Sequence, residues 1–272
     1  MEILLLKIAL LFYLLSTGAF LLPLLSSRAL PRSLAPTLLF VAFITHAGAI
    51  ATRSLAAGYI AVIDSYEALS FFACLTTGVC LLAQTRASVA ILGAVVSPLG
   101  FVLTLGAFVF YTQARDLPPT LHSAWLPVHV TLAFLGNAVF GVAFSASLVY
   151  LEQERQLKEK KGRSFFRRLP SLETLDNLNF RILSWGFSLL TLGILSGAVW
   201  AEYAWGHFWI WEPRPVLSLF TWVLYALLLH YRTVGWRGRR AAVLTIVCFM
   251  VLLGSFLGVK LLFPGRHGGE FG

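Results

Sequence analysis

Long apolar runs dominate this chain, and its polar positions are gathered in the segments between them. Crossing the hydrocarbon of a bilayer takes about 20 apolar residues per helix. Eight stretches qualify, at residues 3–25, 34–53, 67–83, 88–110, 126–150, 180–203, 215–230 and 241–262. The third and seventh are short for a span. The pattern predicts an all-α integral membrane protein, a bundle of about eight transmembrane helices in a single polytopic domain over residues 1–272.

Composition strengthens that reading, with 58% hydrophobic and only 12% charged residues, far from the balance of a soluble domain. The first stretch begins Met-Glu, has no basic n-region and lacks a small-x-small site, so it is expected to be retained rather than cleaved. Cys74, Cys80 and Cys248 all fall inside predicted helices. That placement argues against a disulfide framework or a zinc site and makes them small core residues.

Charge sets the orientation, because Lys and Arg accumulate in cytoplasmic loops. The basic loop at 152–179 carries Arg155, Lys158, Lys160, Lys161, Arg163, Arg167 and Arg168, with Arg181 just beyond, and the last loop carries Arg232, Arg237, Arg239 and Arg240. Both are assigned to the cytoplasmic side, with Arg28, Arg32 and Arg86. Arg53, Arg115, Arg214, Lys260 and Arg266 are left on the other face, and both termini are expected to be extracytoplasmic. The net charge of +9 follows from this asymmetry, so no nucleic-acid partner is implied. Anionic lipid headgroups are the natural counterpart of the basic loop.

That orientation places a tryptophan-rich loop, residues 200–215, outside. Trp200, Trp205, Trp209 and Trp211 lie there with Tyr203, His207 and Phe208. An interfacial belt needs one or two rings per helix end, whereas this segment is built largely of ring faces, which suits a large, flat, apolar ligand. Pro127 suits the first helical turn and puts His129 at the outer mouth of the fifth helix. His267, in a Pro-Gly-Arg-His-Gly-Gly turn, falls on the same face. His230 lies roughly 23 Å deeper on the seventh helix at 1.5 Å per residue, too far to share a metal with the outer pair; followed by Tyr231 and Arg232, it reads equally as an interfacial residue or a functional one. His46 sits within the second helix with Arg53 at i+7. It reads first as a histidine bonded to a neighbouring helix, with a ligand role left open. His122 reads as solvated.

Haem b has the chemistry these residues match: a flat macrocycle, an iron that accepts imidazole nitrogen, and two anionic propionates. His129 and His267 could close the axial positions, tryptophans could cover the ring, and Arg214 or Arg266 could meet the propionates. Quinone and lipid sites use the same residue types. Pro213 and Pro215 each restrict the preceding residue to extended geometry, so Glu212 and Arg214 are expected in a stiff link ahead of the seventh helix.

Specific stretches carry a family resemblance. Leu175-Asp-Asn-Leu-Asn-Phe-Arg181, Gly186-Phe-Ser-Leu-Leu-Thr-Leu-Gly-Ile194 and Gly197-Ala-Val-Trp-Ala-Glu-Tyr-Ala-Trp-Gly206 resemble the CcsA (ResC) type of system II cytochrome c assembly subunit. So do Leu219-Phe-Thr-Trp-Val-Leu-Tyr-Ala226, Gly235-Trp-Arg-Gly-Arg-Arg-Ala241, Leu257-Gly-Val-Lys-Leu-Leu262, Trp125-Leu-Pro-Val-His-Val130 and Ser65-Tyr-Glu67. That type belongs to a wider tryptophan-rich haem-handling group with CcmC and CcmF.

The resemblance implies that His129 and His267 hold haem iron beside the loop, and that His230 matches a membrane-embedded histidine at a second haem position. Trp205, Trp209 and Trp211 fall on loop positions of the family. Glu212 stands for the family's Asp, Arg214 for Lys and Pro215 for Glu. The implied function is haem delivery across the membrane and its covalent attachment to an apocytochrome c, as a subunit of a thioether-forming synthase. No catalytic residue is assigned. The outer segments are too short for an apocytochrome-binding domain, and the resemblance implies a CcsB/ResB-type membrane partner whose helix supplies the second ligand at His230. A bacterial-type cytoplasmic (inner) membrane is expected, ahead of a plastid thylakoid membrane. Two alternatives stand beside this: a HemX-like regulator of a haem-biosynthesis enzyme, docking through the basic loop, and a plain haem exporter.

Overall fold

A computed structural model describes residues 1–25, 30–86, 90–113, 123–160 and 170–262. It is all-helical. In chain order come α1 (Glu2–Leu25), α2 (Leu34–Ala57), α3 (Ser65–Arg86), a short 3₁₀ turn (Ala90–Leu92) leading into α4 (Gly93–Val109), α5 (Trp125–Lys158), α6 (Leu172–Trp205), α7 (Pro213–Thr233) and α8 (Arg239–Leu262). Among the described residues, α1 to α7 are long and apolar enough to cross a membrane. The chain is a multi-pass membrane protein.

Every expected span contains a helix, but α5 and α6 are 34 residues each and run into the segment read as a basic loop. The charges responsible sit on helix surface. Arg155 pairs with Glu152 at 3.0 Å and Lys158 with Glu154 at 2.7 Å, the i,i+3 and i,i+4 spacings that support a helix. Ser171 accepts the Thr174 backbone N–H at 3.1 Å, an N-cap that lets α6 begin well before its apolar run. Residues 161–169 of this segment lie outside the described residues.

The chain forms two compact units, Met1–Asp116 with Leu148–Leu175, and Leu117–Ser147 with Asp176–Gly272. In the first, α2 buries Ala35, Leu39, Ala42, His46, Ala49 and Arg53, a stripe stepping by three and four residues along one face. Ala9, Tyr13 and Phe20 of α1 share its core. His46 is fully buried, with Nε2 2.8 Å from Ser70 Oγ and Nδ1 3.2 Å from the Tyr13 hydroxyl, which also meets Thr77 Oγ1 at 3.0 Å. Both ring nitrogens are thus engaged by α1 and α3. His46 is a polar tie between helices, the first of the two readings its sequence position allowed.

Two turns further along the same face, Arg53 is only 2% exposed. Its Nε donates to Glu67 Oε1 at 2.7 Å, Nη1 to Glu2 Oε1 at 3.2 Å and to the Thr112 carbonyl at 2.8 Å, and Nη2 to Asp64 Oδ2 at 3.3 Å. The guanidinium also lies 4.7 Å from the Tyr66 ring centre. Asp64 and Glu67 form a reciprocal capping box at the start of α3, Glu67 N–H to Asp64 Oδ1 at 2.7 Å and Asp64 N–H to Glu67 Oε2 at 3.4 Å. Tyr111 donates to Glu2 at 2.9 Å. Burial, then the facing Glu2 carboxylate, hold its phenol above the ordinary value, so it stays a donor. One cation therefore joins the start of α1, the end of α2, the start of α3 and the exit from α4. Counting charge by loops had made Arg53 a simple outer-face cation.

The second unit has its own polar knot, at the beginning of α6. Arg232, expected as a loop cation, is buried; it donates to Asp176 Oδ1 at 2.6 Å and to the Asp176 carbonyl at 3.0 Å, and the Gly238 N–H meets Asp176 Oδ1 at 2.9 Å. Asn179, one turn on, donates to the Ala143 carbonyl and to Ser147 Oγ at 2.9 and 2.8 Å. Asp176 thereby fixes the α7–α8 turn and Asn179 ties α5 to α6. Cys74, Cys80 and Cys248 are buried with free thiols, as expected of core residues.

Candidate functional site

Within the second unit, α5 and α6 approach through glycine. A Cβ on Gly136 would lie 2.8 Å from the Leu190 backbone nitrogen, one on Gly193 3.0 Å from Ala133 Cα, and one on Gly197 2.6 Å from the His129 ring. Positions falling along α5 meet positions rising along α6, so the helices are antiparallel. His129, in the opening turns of α5, is brought beside the last turns of α6.

The imidazole is seated closely there. Nδ1 lies 2.8 Å from the Gly193 carbonyl oxygen, an acceptor only, so Nδ1 must be the donor. The ring stacks on Trp200 with centroids 5.9 Å apart and planes within 8°. Trp200 is buried and meets the Trp205 ring edge-on at 4.7 Å and 66°. The histidine expected at the mouth of α5 and the first half of the tryptophan cluster are therefore in contact.

α6 continues through Trp205, so only the stretch from Gly206 to Glu212 leaves the helices. Gly206 has φ 73° and returns its N–H to the Glu202 carbonyl at 2.9 Å, a left-handed helix end open to glycine at no steric cost. Trp209 and Trp211 meet at 77° with centroids 6.0 Å apart. Trp211 is 84% exposed and Phe208 62%, a large uncovered ring surface. The Trp209 indole Nε1 is buried with no hydrogen-bond partner among the described residues. Glu212 is extended, φ −101° and ψ 157°, at the N-cap position of α7, as its place before Pro213 requires.

Arg214 is different from expectation. It belongs to the first turn of α7 rather than to an extended link. The restraint from Pro215 is a preference, and it yields in a first turn, where backbone N–H groups lack intrahelical acceptors and proline forfeits no hydrogen bond. The arginine is partly buried beside the loop.

His230 lies at the other end of α7, about 25 Å along the axis from Pro213 at 1.5 Å per residue. It is exposed, on a stripe with exposed Val216, Leu219, Phe220, Val223, Leu227 and Tyr231. It shares no site with His129. His267 and Arg266 lie outside the described residues.

The donor set fits an axial ligand for haem. A histidine that binds metal characteristically gives its other ring N–H to a carbonyl or carboxylate, and His129 does so. Among the described residues no group of three or more His, Cys, Asp or Glu could hold a metal ion, so the setting is one imidazole against aromatic surface. Sequence reading passed over Gly193, Ser196 and Gly197 as contact positions, although glycines spaced seven and four apart at 186, 193 and 197 were a signal for a close helix approach. In the sequence Asp176 and Asn179 stand out only as positions of a family motif.

The chain is similar to known proteins over most of its length. Residues 62–267 match the family described as cytochrome C assembly protein, a span that contains His129, the tryptophan-rich segment and His230. A cytochrome c biogenesis protein CcsA of Synechococcus elongatus is 34% identical over 84% of this chain and 84% of its own length. CcsA of Porphyra purpurea is 32% identical over 89% of this chain and 90% of its own, and that of Chlamydomonas reinhardtii 36% identical over 77% and 61%. With most of its length matched, and the histidine-tryptophan contact within the matched region, the chain belongs to the cytochrome c assembly protein family.

Proposed function

We propose that this protein takes part in cytochrome c biogenesis by presenting haem b at the extracytoplasmic membrane surface for covalent attachment to an apocytochrome c. The observation that carries the reading is the His129 imidazole, held through Nδ1 by the Gly193 carbonyl and laid parallel to Trp200 at the head of the tryptophan-rich segment. His129 would supply one imidazole nitrogen to the iron and His267 a second. Trp205, Trp209 and Trp211 would cover the macrocycle, Arg214, in the turn that follows the loop, would meet a propionate, and Glu212 holds the extended approach to α7.

Each client cysteine adds across one haem vinyl: a carbon–sulfur bond forms, the thiol proton goes to the other vinyl carbon, and no net oxidant is needed. The chain contributes position, which for two oriented reactants is worth several kcal/mol of barrier, roughly 7–11 in the best cases. His230, exposed on the outward stripe of α7, suits a second haem position completed by a helix of a CcsB/ResB-type partner. The positive-inside asymmetry supports extracytoplasmic termini and a cytoplasmic basic segment beside anionic lipid.

The test is optical and then covalent. Purified protein should carry haem with a two-histidine spectrum that His129→Ala and His267→Ala each abolish; a spectrum that survives both changes sinks the axial assignment. Co-expression with a CcsB-type partner and an apocytochrome should yield haem bound covalently to the client. No covalent product with a partner that is competent alongside a known relative would favour the HemX-like regulator.

A further inference from the structure

Positions 193, 196, 197 and 200 of α6 follow the i, i+3, i+4, i+7 spacing of one helix face, and three of them meet the same ring. Gly193 offers its carbonyl to Nδ1 at 2.8 Å. Gly197 leaves the gap the imidazole fills, since a Cβ there would fall 2.6 Å from ring atoms. Trp200 lies parallel to the ring at 5.9 Å. Ser196, buried, has a single hydroxyl proton, which it shares between the Leu192 carbonyl at 2.7 Å and, as the longer arm, the same Gly193 carbonyl at 3.0 Å. The carbonyl that holds His129 is thus shared with a hydroxyl.

We propose that this face of α6 is a tautomer lock: Gly193, Gly197 and Trp200 hold His129 in its Nδ1–H form so that Nε2 is the nitrogen presented to iron, and Ser196 sets the strength of that hold. The inference rests on the reading of His129 as an iron ligand and adds the residues that prepare it. A carbonyl can only accept, so while the 2.8 Å contact stands the proton is confined to Nδ1 and the lone pair to Nε2. Hydrogen bonding at the far nitrogen raises ligand basicity. A hydroxyl competing for the same oxygen moderates it. Ser196 is accordingly a positioning residue that acts on iron through His129 and the Gly193 carbonyl.

The lock can be read without haem. In haem-free protein labelled with ¹⁵N on histidine rings, with the His129 signals assigned by their loss in His129→Ala, Nδ1 should be protonated and Nε2 of the bare-nitrogen type. A protonated Nε2 overturns the proposal and leaves the haem reading standing. In haem-loaded protein, Ser196→Ala removes the competitor without adding bulk, strengthens the Nδ1–H bond and should lower the iron reduction potential while keeping the two-histidine spectrum. An unchanged potential overturns the role of Ser196. Gly197→Ala should drive the ring from its seat and lose the His129 ligation, with added imidazole expected to restore the spectrum both here and in His129→Gly; unaltered ligation in Gly197→Ala overturns the steric part. If His129→Ala itself keeps the full spectrum, the reading of the site fails, whatever the tautomer.

Discussion

Arg53 donates to three carboxylates from a position almost closed to solvent. Removing one partner of such a cluster strands the others, which typically costs about 3–5 kcal/mol. Arg53→Met should therefore lower the thermal midpoint sharply in detergent, while Arg53→Lys should recover only part of the loss, because a single ammonium cannot reproduce the planar fork. Equal midpoints for Arg53→Met and wild type would contradict the clamp. His46 allows an opposite expectation. Its two nitrogens are bonded to Ser70 and Tyr13, so His46→Gln should leave the haem spectrum unchanged where His129→Ala removes it. The sequence showed that His46 and Arg53 share a face of the second helix, but not what faced them. The partners Glu2 and Ser70 come from other helices and Asp64 from the cap of α3, and hydropathy carries no information about which helices are neighbours.

Helix number was legible because a bilayer imposes one length on every span, and each apolar run of that length became a helix. Helix ends were less so, since α5 and α6 extend by charged turns that hydropathy scores as loop. The α5–α6 contact shows the same limit at closer range: glycines at 136, 193 and 197 were visible, but their pairing with Leu190, Ala133 and His129 depends on register. At Gly136 the obstacle to a side chain is backbone, which no rotamer change relieves. Gly136→Ala should destabilise by about 1–3 kcal/mol, the usual penalty of overpacking. Gly18, inside α1 with nothing within 4 Å of an added Cβ, should tolerate alanine and gain about 0.5–1 kcal/mol of helix stability. Thermal melts of the two variants check the contrast, and a Gly136→Ala protein as stable as Gly18→Ala would mean that the helices are not pressed together there.

At the scale of the whole chain, stabilising polar knots occur separately in the two units, around Arg53 in one and around Asp176 and Asn179 in the other. The variants Arg53→Met and Asn179→Ala touch no common partner, so their effects on stability should add within about 0.3–0.5 kcal/mol; a larger interaction in a double-mutant cycle would show that the two knots are coupled. That His129 lies beside the start of the tryptophan cluster was legible because both fall at helix ends that the charge asymmetry assigned to one face. The Nδ1 contact was not, because a backbone carbonyl has no letter in the sequence. The three thiols bear on the site as well. A protein that holds a vinyl-bearing porphyrin beside the sulfur of a client runs the hazard of alkylating itself. Cys74, Cys80 and Cys248 are shut inside helix contacts, where a thiol is inert, so under the proposed haem delivery none of these three would compete with the client's sulfur for a vinyl group.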